Sequence, residues 1–206
     1  MKLRSIHSGA IIAVLGIVLL RPSLAVAGPA ADQVKQTVDA VLGILNDPAL
    51  KGEAKTRERR QKLREVIYPR FDFAEMAKRS LGAQWQKRSP AEQKEFVEVF
   101  TDLLEAAYLD NFEAYSGEKV RFLNDRQDKD RAEVSTKVTN NRDEFSIDYR
   151  LQEVNGEWRV VDVVVENVSL VNNYRSQFNR VLARSSYTEL IETMKQRKVS
   201  APRGKS

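Results

Sequence analysis

The stretch WRVVDVVVENVSLVNNYRSQF, from Trp158 to Phe178, constrains the fold of this chain more than any other. It follows an Asn155-Gly156 pair, the dipeptide favoured in two-residue hairpin turns. β-Branched residues dominate as far as Val165, and helical spacing of apolar residues begins at Val171. We therefore expect a strand that is apolar on both faces, interrupted at Asp162, and followed directly by a helix that covers one face of a sheet.

The first 27 residues have the pattern of a secretory signal peptide. A basic start precedes the apolar run Gly9–Leu20, and Ala25-Val26-Ala27 offers a cleavage site with small residues at its first and third positions. The apolar run is too short for a comfortable transmembrane span. We expect cleavage after Ala27, one domain over residues 28–199 and a flexible tail over residues 200–206.

The composition excludes several kinds of active site. The chain has no cysteine, and its single histidine, His7, lies in the predicted signal peptide. The processed chain therefore lacks the base of a Ser-His-Asp or Cys-His site and the usual zinc and copper ligands, so we expect no metal and no cofactor. An exported chain without cysteines is compatible with a bacterial periplasm. Cleavage lowers the formal charge of +5 by three, and the remaining charges of both signs are interspersed, which argues against a nucleic-acid partner.

The first half of the chain is predicted to be helical. Apolar spacing predicts a helix over Ala31–Leu45, and Asp72 and Ser89 are each followed three residues later by Glu, the pattern of a helix N-cap with a capping box. The longest apolar stripe follows Ser89-Pro90. The segment Lys51–Ile67 is rich in basic residues. It is either a surface that binds anionic lipid or an acidic partner, or a solvated helix face, which is the commoner case.

The period changes after Ser116-Gly117. Alternating patterns predict strands over Val120–Leu123, Arg131–Val138 and Glu144–Leu151, with turns at Asn124-Asp125 and Asn140-Asn141. With the strand that begins at Trp158, they predict a curved antiparallel four-stranded sheet. Helices precede and follow it, so the chain is predicted to be α+β, with N-terminal and C-terminal helices backing the sheet around either a filled core or an apolar cavity.

Several motifs resemble the MlaC family in their order and spacing. They are Phe71-Asp72-Phe73, Leu81-Gly82, Trp85, Trp158-Arg159-Val160, Val168-Ser169-Leu170-Val171 and Asn173-Tyr174-Arg175. The resemblance covers roughly residues 31–195. Asn167 stands where the family pattern has Gly, and Asn tolerates a positive φ better than most residues.

The resemblance implies a function in lipid transport and no enzymatic activity. Proteins of this family, also called toluene-tolerance proteins, are soluble periplasmic components of the Mla phospholipid transport system. They shield acyl chains in an apolar cavity between sheet and helices, and they shuttle phospholipid between an outer-membrane lipoprotein complex and an inner-membrane ABC transporter complex. A related group associated with hopanoid lipids shares the pattern, so the resemblance leaves the lipid open.

Under this resemblance, the predicted cavity residues are aromatic and branched side chains that the sheet and its covering helices would turn inward. They are Leu104, Tyr108, Phe112, Phe122, Phe145, Ile147, Tyr149, Val161, Val163, Tyr174 and Phe178. Val161, Val163 and Val165 are assigned to one strand face, and Val160 and Val164 to the other. Arg175 is a candidate phosphate contact or a member of a surface ion pair. For each residue alone, ordinary core packing is the alternative.

Two other functions fit parts of the sequence. One is an α+β enzyme that uses Asp162, Glu166 or Asp148 as acid and base in a buried pocket. Asp162 and Glu166 are four residues apart on a strand, about 13 Å, which is too far for one dyad, and Asp162 fits better as a helix cap or the partner of an arginine. The other is a periplasmic chaperone or adaptor, which would bind protein on an apolar surface without a dry cavity.

Overall fold

An antiparallel sheet is the central element of the fold, and helices that precede and follow it in the chain pack against it. The computed structural model describes residues 28–113, 115–140 and 143–196. The helices are α1 (Pro29–Asn46), α2 (Thr56–Ile67), α3 (Phe73–Leu81), α4 (Pro90–Glu113), α5 (Leu170–Leu182) and α6 (Tyr187–Lys195). The strands are β1 (Lys119–Asp128), β2 (Arg131–Thr139), β3 (Glu144–Val154), β4 (Glu157–Val165) and β5 (Val168–Ser169).

The strands pair in chain order, β1-β2-β3-β4-β5, and every pair is antiparallel. This confirms the α+β class and the meander. The predicted number of four strands was wrong by one, because the short strand β5 folds back onto β4 before α5 begins. Glu166 and Asn167 form the turn between them with φ of 48° and 64°. Asn167 thus has the positive φ for which Asn is a tolerated substitute for Gly.

The turn predicted at Asn124-Asp125 was wrong. These residues lie inside β1, where Asn124 pairs with Ser135 and Asp125 with Val134. The pairing register shifts between Phe122 and Asn124, so β1 contains a bulge and continues to Asp128. The chain reverses only afterwards. The Asn155-Gly156 turn is confirmed, and both of its residues have positive φ, 53° and 81°. The turn predicted at Asn140-Asn141 lies partly outside the described residues.

Side-chain caps begin the helices where the sequence predicts them. At α4, the Ser89 N–H donates to Glu92 Oε2 at 2.7 Å, and the Glu92 N–H donates to Ser89 Oγ at 3.3 Å, which is a complete capping box. At α3, Asp72 Oδ1 accepts from the Glu75 N–H at 2.8 Å. The Asp72 N–H donates to the Val160 carbonyl oxygen at 2.9 Å instead of to Glu75, and this ties the start of α3 to β4.

We expect Asp72→Ala to lower the free energy of unfolding by about 1 kcal/mol, because one N–H of the first turn of α3 loses its acceptor. Urea unfolding followed by circular dichroism measures this. Asp102→Ala, an exposed substitution within α4, is the control and should stay within about 0.5 kcal/mol of the wild type. A loss at Asp72 no larger than at Asp102 would show that this cap does not stabilise the fold.

The buried apolar residues form two separate clusters. The helical cluster contains side chains of α3, α4, α5 and α6, with Phe96, Phe100, Tyr174 and Phe178 at its centre. The Phe96–Phe178 and Phe100–Tyr174 ring centroids are each 5.6 Å apart, both edge to face. The sheet cluster joins the start of α1 to one sheet face and contains Ala30, Ala31, Val34, Ala132, Val134, Leu151, Trp158 and Val160. Phe71 is partly buried against both clusters.

Within the described part of the chain, no helix combines the length and apolar content needed to cross a bilayer. No group of acidic side chains there is arranged to hold a metal ion. The predicted signal peptide over residues 1–27 and the predicted tail over residues 200–206 lie outside the described residues.

Candidate functional site

One face of the sheet is apolar along most of its length. Along β2 it presents Ala132, Val134, Thr136 and Val138, all buried. These residues pair with Leu151, Tyr149, Ile147 and Phe145 of β3, respectively. Directly paired residues lie on the same face of a sheet, so the two strands together form a continuous surface. The hydroxyl of Thr136, the polar residue in this row of β2, donates to the Ile147 carbonyl oxygen at 2.8 Å.

Helix α1 covers one end of this face. Ala30, Ala31 and Val34 are 0%, 6% and 5% exposed, respectively, and pack in the sheet cluster with Leu151 and Val160. The side chain of Gln33 binds the backbone of Trp158 twice: its amide N–H donates to the Trp158 carbonyl oxygen, and its Oε1 accepts from the Trp158 N–H at 3.3 Å. The first turns of α1 are therefore fixed on the sheet.

The other end of the same face is less completely covered. We call this region the apolar patch; it comprises Phe122, Phe145, Ile147, Tyr149, Val163 and Val165, which are all half-buried. These residues share the face because Ile147 pairs with Val165 and Tyr149 with Val163. A packed helix layer normally buries such side chains completely, as it does at the α1 end of the face. Phe122, Tyr149 and Val163 pack against the sheet cluster, and all six side chains remain partly accessible.

Burial also decreases along the apolar stripe of α1. Val38, Val41 and Leu42 lie four, seven and eight residues after Val34, so they continue the stripe that Val34 begins. Val34 is buried, whereas the three later residues are half-buried. A helix stripe and a sheet face thus lose their cover together, as the two walls of an apolar hollow would.

Helices α2 and α4 are fastened to each other by Glu105 of α4. Its carboxylate accepts from Arg64 Nε at 2.8 Å and also from the Tyr68 hydroxyl. The Arg64 guanidinium lowers the pKa of Glu105, so the carboxylate stays charged at neutral pH. Tyr108 lies one turn further along α4, half-buried against the helical cluster. The side chain of Phe112 lies outside the described residues.

Three tyrosines of the sheet and helices, namely Tyr108, Tyr149 and Tyr174, are uncharged at neutral pH. Burial raises the pKa of Tyr149 and of Tyr174 to about 12, and burial together with the nearby Tyr174 raises the pKa of Tyr108. Tyr149 is half-buried, so part of its surface is accessible. Among the described residues, the buried hydroxyls of Tyr108 and Tyr174 have no hydrogen-bond partner. Each can donate to a polar group of a ligand or to a water molecule.

The structure divides the ten predicted cavity residues whose side chains it describes into three groups. Phe122, Phe145, Ile147, Tyr149 and Val163 come together in the apolar patch. Leu104, Tyr108, Tyr174 and Phe178 belong to or pack against the helical cluster, where Tyr174 and Phe178 are fully buried. Val161 belongs to neither set.

The assignment of the β4 valines to two faces is confirmed for Val163, Val164 and Val165 but was wrong for Val160. Val160 pairs with Leu151 and Val163 with Tyr149, so Val160 and Val163 share one face. The register shifts between Arg150 and Leu151, and Val161 is left without a partner on β3. A bulge of this kind inserts one residue and reverses the alternation that simple counting assumes. Val161 itself is buried, with 3% exposure.

Asp162 holds the strand-to-helix junction together. Its Oδ1 accepts from the Val171 N–H at 3.1 Å, and its Oδ2 accepts from the Ser169 hydroxyl at 2.7 Å and from Arg150 Nη1 at 3.1 Å. The carboxylate therefore caps α5 and pairs with an arginine, as the sequence suggested. Glu166 accepts from Ser146 in an exposed turn. These carboxylates are bound to separate partners and do not converge on a common pocket.

The Nε atom of Arg175 binds protein backbone. This atom donates to the Arg79 carbonyl oxygen at 2.7 Å, near the end of α3. The arginine thus joins α5 to the last turn of α3, where unpaired carbonyl groups favour a cation.

A groove of about 270 Å³ lies between α1 and α2. Its lining is of mixed polarity and consists of Gln36, Thr37, Ala40, Glu65, Val66, Pro69 and Arg70. Charged side chains at the wall make it unsuitable for an acyl chain, and its lining shares no residue with the apolar patch.

Sequence reasoning missed the contribution of α1 and of one strand residue, Val165. Val165 could have been found, because it pairs with a predicted residue and the face of β3 was known from strict alternation. Val38, Val41 and Leu42 follow the helical period, but the period alone does not show where along a helix its cover ends.

A small α+β domain whose sheet and covering helix keep apolar side chains partly accessible belongs to the class of domains suited to hold an apolar ligand. Comparisons with known proteins identify the family to which this domain belongs. The model of the MlaC protein family matches residues 35–196, so the chain belongs to the MlaC family.

Two relatives support this assignment. The chain is 26% identical over 157 residues to the toluene tolerance protein ttg2D of Pseudomonas putida, a match that spans 75% of this chain and 73% of that protein. It is also similar to the phospholipid-binding protein from Ralstonia solanacearum, solved in complex with a phospholipid. That match has a TM-score of 0.74 and 27% identity, and it covers 82% of this chain and 97% of the other.

Proposed function

We propose that this protein is a periplasmic phospholipid carrier that holds acyl chains against the apolar patch. The observation that supports this most directly is the coincidence of two half-buried apolar surfaces, the patch on the sheet and the later part of the α1 stripe. The phospholipid-bound relative from Ralstonia solanacearum supplies the ligand class. Phe122, Phe145, Ile147, Tyr149 and Val163 are the proposed contacts from the sheet, and Leu104 and Tyr108 are the proposed contacts from α4.

Energetics indicate why such a carrier would need membrane-bound partners. Burying about fifteen methylene groups of one acyl chain contributes about 12 kcal/mol, at about 0.8 kcal/mol each. A bilayer offers the same contribution, so transfer from membrane to protein gains little from burial. We propose that an outer-membrane lipoprotein complex and an inner-membrane ABC transporter complex present and accept the lipid. The carrier itself would then need no catalytic residue, and we propose that it is not an enzyme.

Export is part of this proposal. A signal peptide over residues 1–27, cleaved after Ala27, would deliver the chain to the periplasm, in keeping with a sequence that has no cysteine. The domain proper would then extend from residue 28 to about residue 199.

The direct test is to purify the protein natively from a bacterial host and to analyse an organic extract by mass spectrometry. We expect close to one phospholipid per protein. Phospholipid and hopanoid-type lipids differ in mass, so the same spectrum identifies the cargo. A lipid-free preparation that also takes up no phospholipid from vesicles would overturn the carrier function and favour a chaperone or adaptor.

The basic helix α2 is the proposed surface for docking on an acidic partner. Arg57 and Lys62 are exposed there. We expect the double variant Arg57→Glu, Lys62→Glu to transfer lipid to partner complexes at least about tenfold more slowly, since reversed charges lower the rate of encounter. Bound lipid should be unchanged. Transfer of radiolabelled phospholipid to membranes that contain the partner complex measures this.

The matched control reverses two exposed lysines outside α2, Lys87→Glu and Lys94→Glu, and changes the net charge equally. Equal slowing in both double variants would indicate an effect of net charge and would remove α2 as a docking surface.

A further inference from the structure

Two polar side chains lie on the sheet face that α1 covers. Asp125 pairs with Val134, and Gln127 pairs with Ala132. The partners are buried members of the sheet cluster, 1% and 7% exposed. Paired residues share a face, so Asp125 and Gln127 are directed to the side on which α1 lies. A half-buried carboxylate in such a place requires a donor.

The donor is the backbone nitrogen of Gly28. It lies 2.7 Å from Asp125 Oδ2, immediately before α1 begins at Pro29. A β-carbon at Gly28 would lie 2.8 Å from Asp125 Oδ2 and 3.4 Å from Gln127 Oε1, so a side chain at this position would collide with the carboxylate. The short distance between Gly28 and the Asp125 carboxylate therefore leaves no room for a side chain at position 28.

The same nitrogen is the atom that the predicted processing would change. Hydrolysis of the Ala27–Gly28 bond by a signal peptidase consumes one water molecule, leaving the new carboxylate on Ala27 and the new ammonium group on Gly28. In the precursor, the Gly28 nitrogen offers one neutral N–H. In the processed chain, it offers three N–H groups and a full positive charge.

A positive charge on the Gly28 nitrogen requires a negatively charged partner nearby. The N-terminus of a helix carries a partial positive charge, so an unpaired ammonium group next to Pro29 would destabilise α1. A carboxylate 2.7 Å away removes this penalty, and a charge-assisted hydrogen bond is roughly twice as strong as a neutral one. We propose that Asp125 is the binding site for the processed N-terminus, and that cleavage after Ala27 creates an ion pair which fastens α1 to the sheet.

This inference rests on the cleavage site proposed above but not on the lipid. It has a consequence for the hollow, because α1 also carries Val38, Val41 and Leu42 along one wall. The ion pair would act at the end of α1 that is fixed to the sheet, beside Ala30 and Ala31. Processing would then strengthen the hold on this wall only after export.

The experiment compares two chains, one that begins at Gly28 and one that begins at Ser23 and keeps five native residues before Gly28. We expect the shorter chain to have a thermal midpoint about 3 °C higher in low salt. Sodium chloride at about 1 M should reduce the difference, since it screens the charge on the partly exposed pair. This comparison needs no substitution, so it holds even if a variant folds poorly.

Asp125→Asn, introduced into both chains, tests the partner. We expect the substitution to lower the midpoint by about 3 °C more in the chain that begins at Gly28 than in the longer chain. Asp128→Asn changes an exposed carboxylate on the same strand and is the control, with equal effects in both chains. Equal losses for Asp125→Asn in the two chains would overturn the ion pair.

The intact mass of the protein exported from the full-length sequence tests the position of cleavage. A chain that begins at Gly28 supports the inference, and a chain that begins elsewhere overturns it. Neither result changes the lipid content, so failure here is distinguishable from failure of the proposed carrier function.

Discussion

Asp162→Ala is expected to lower the free energy of unfolding by at least about 3 kcal/mol. The carboxylate is 5% exposed and accepts three hydrogen bonds, from Val171, Ser169 and Arg150. Hydrogen bonds to a charged group contribute about 1.5–3 kcal/mol each, and a buried N–H that loses its acceptor adds a desolvation cost. The Arg150 side chain is 46% exposed and can return to water, so its charge adds little to the loss.

Urea unfolding followed by tryptophan fluorescence measures this difference. Asp148→Ala is the matched control, because Asp148 pairs with Val164 beside Asp162 but is half-buried. We expect the control to change stability by about 0.5 kcal/mol or less. If Asp162→Ala were no more destabilising than Asp148→Ala, the carboxylate would not hold β4 and α5 together, and its burial would need another explanation.

Local signals predicted most of the secondary structure. Ser89-Pro90 with Glu92 forms the capping box, and Asn155-Gly156 forms the hairpin turn, because each motif depends only on contacts within a few residues. The order of the strands followed from the short connections, since neighbouring antiparallel strands pair when a tight turn joins them. The family resemblance added the expectation of a lipid-binding cavity.

The errors arose where a residue was inserted into a strand pair. The polar pair Asn124-Asp125 has the composition of a turn, although β1 continues through it. A bulge near Leu123 lies just before this pair and shifts the pairing register. At Val161, another register shift changed the face of every valine after it. Register is set by pairing with a distant strand, so counting along one segment could not reveal either shift.

The hollow itself could not be predicted from periodicity. Val34 and Val38 occupy the same stripe of α1, yet the structure buries the first and leaves the second half-exposed. The difference in burial depends on how far α1 runs along the sheet. The contacts of its first turns with Trp158 and Leu151 determine this position. Such long-range contacts leave no mark in the amphipathic pattern of a helix.

Val163→Asp is expected to reduce the bound phospholipid per protein at least about tenfold. A carboxylate in an acyl-chain site must be desolvated whenever lipid enters, which costs several kcal/mol, and each 1.4 kcal/mol corresponds to a factor of ten in affinity. Folding should suffer less, by about 1–2 kcal/mol, because the half-buried side chain can be hydrated when lipid is absent. Tyr149→Asp, opposite Val163 on β3, should act in the same way. Mass spectrometry of extracted lipid and urea unfolding of the same preparations give the two quantities.

The matched control is Val168→Asp, the same substitution in β5 at a valine that is 41% exposed and outside the apolar patch. It should leave the lipid content unchanged, because its charge remains in water whether or not lipid is bound. The decisive quantity is the ratio of lipid loss to stability loss. A filled core predicts that Val163→Asp loses stability and lipid in parallel, since a charge in a packed interior disrupts the fold itself. An open hollow predicts a folded protein without lipid, because the wall accepts a hydrated charge that the acyl chains cannot.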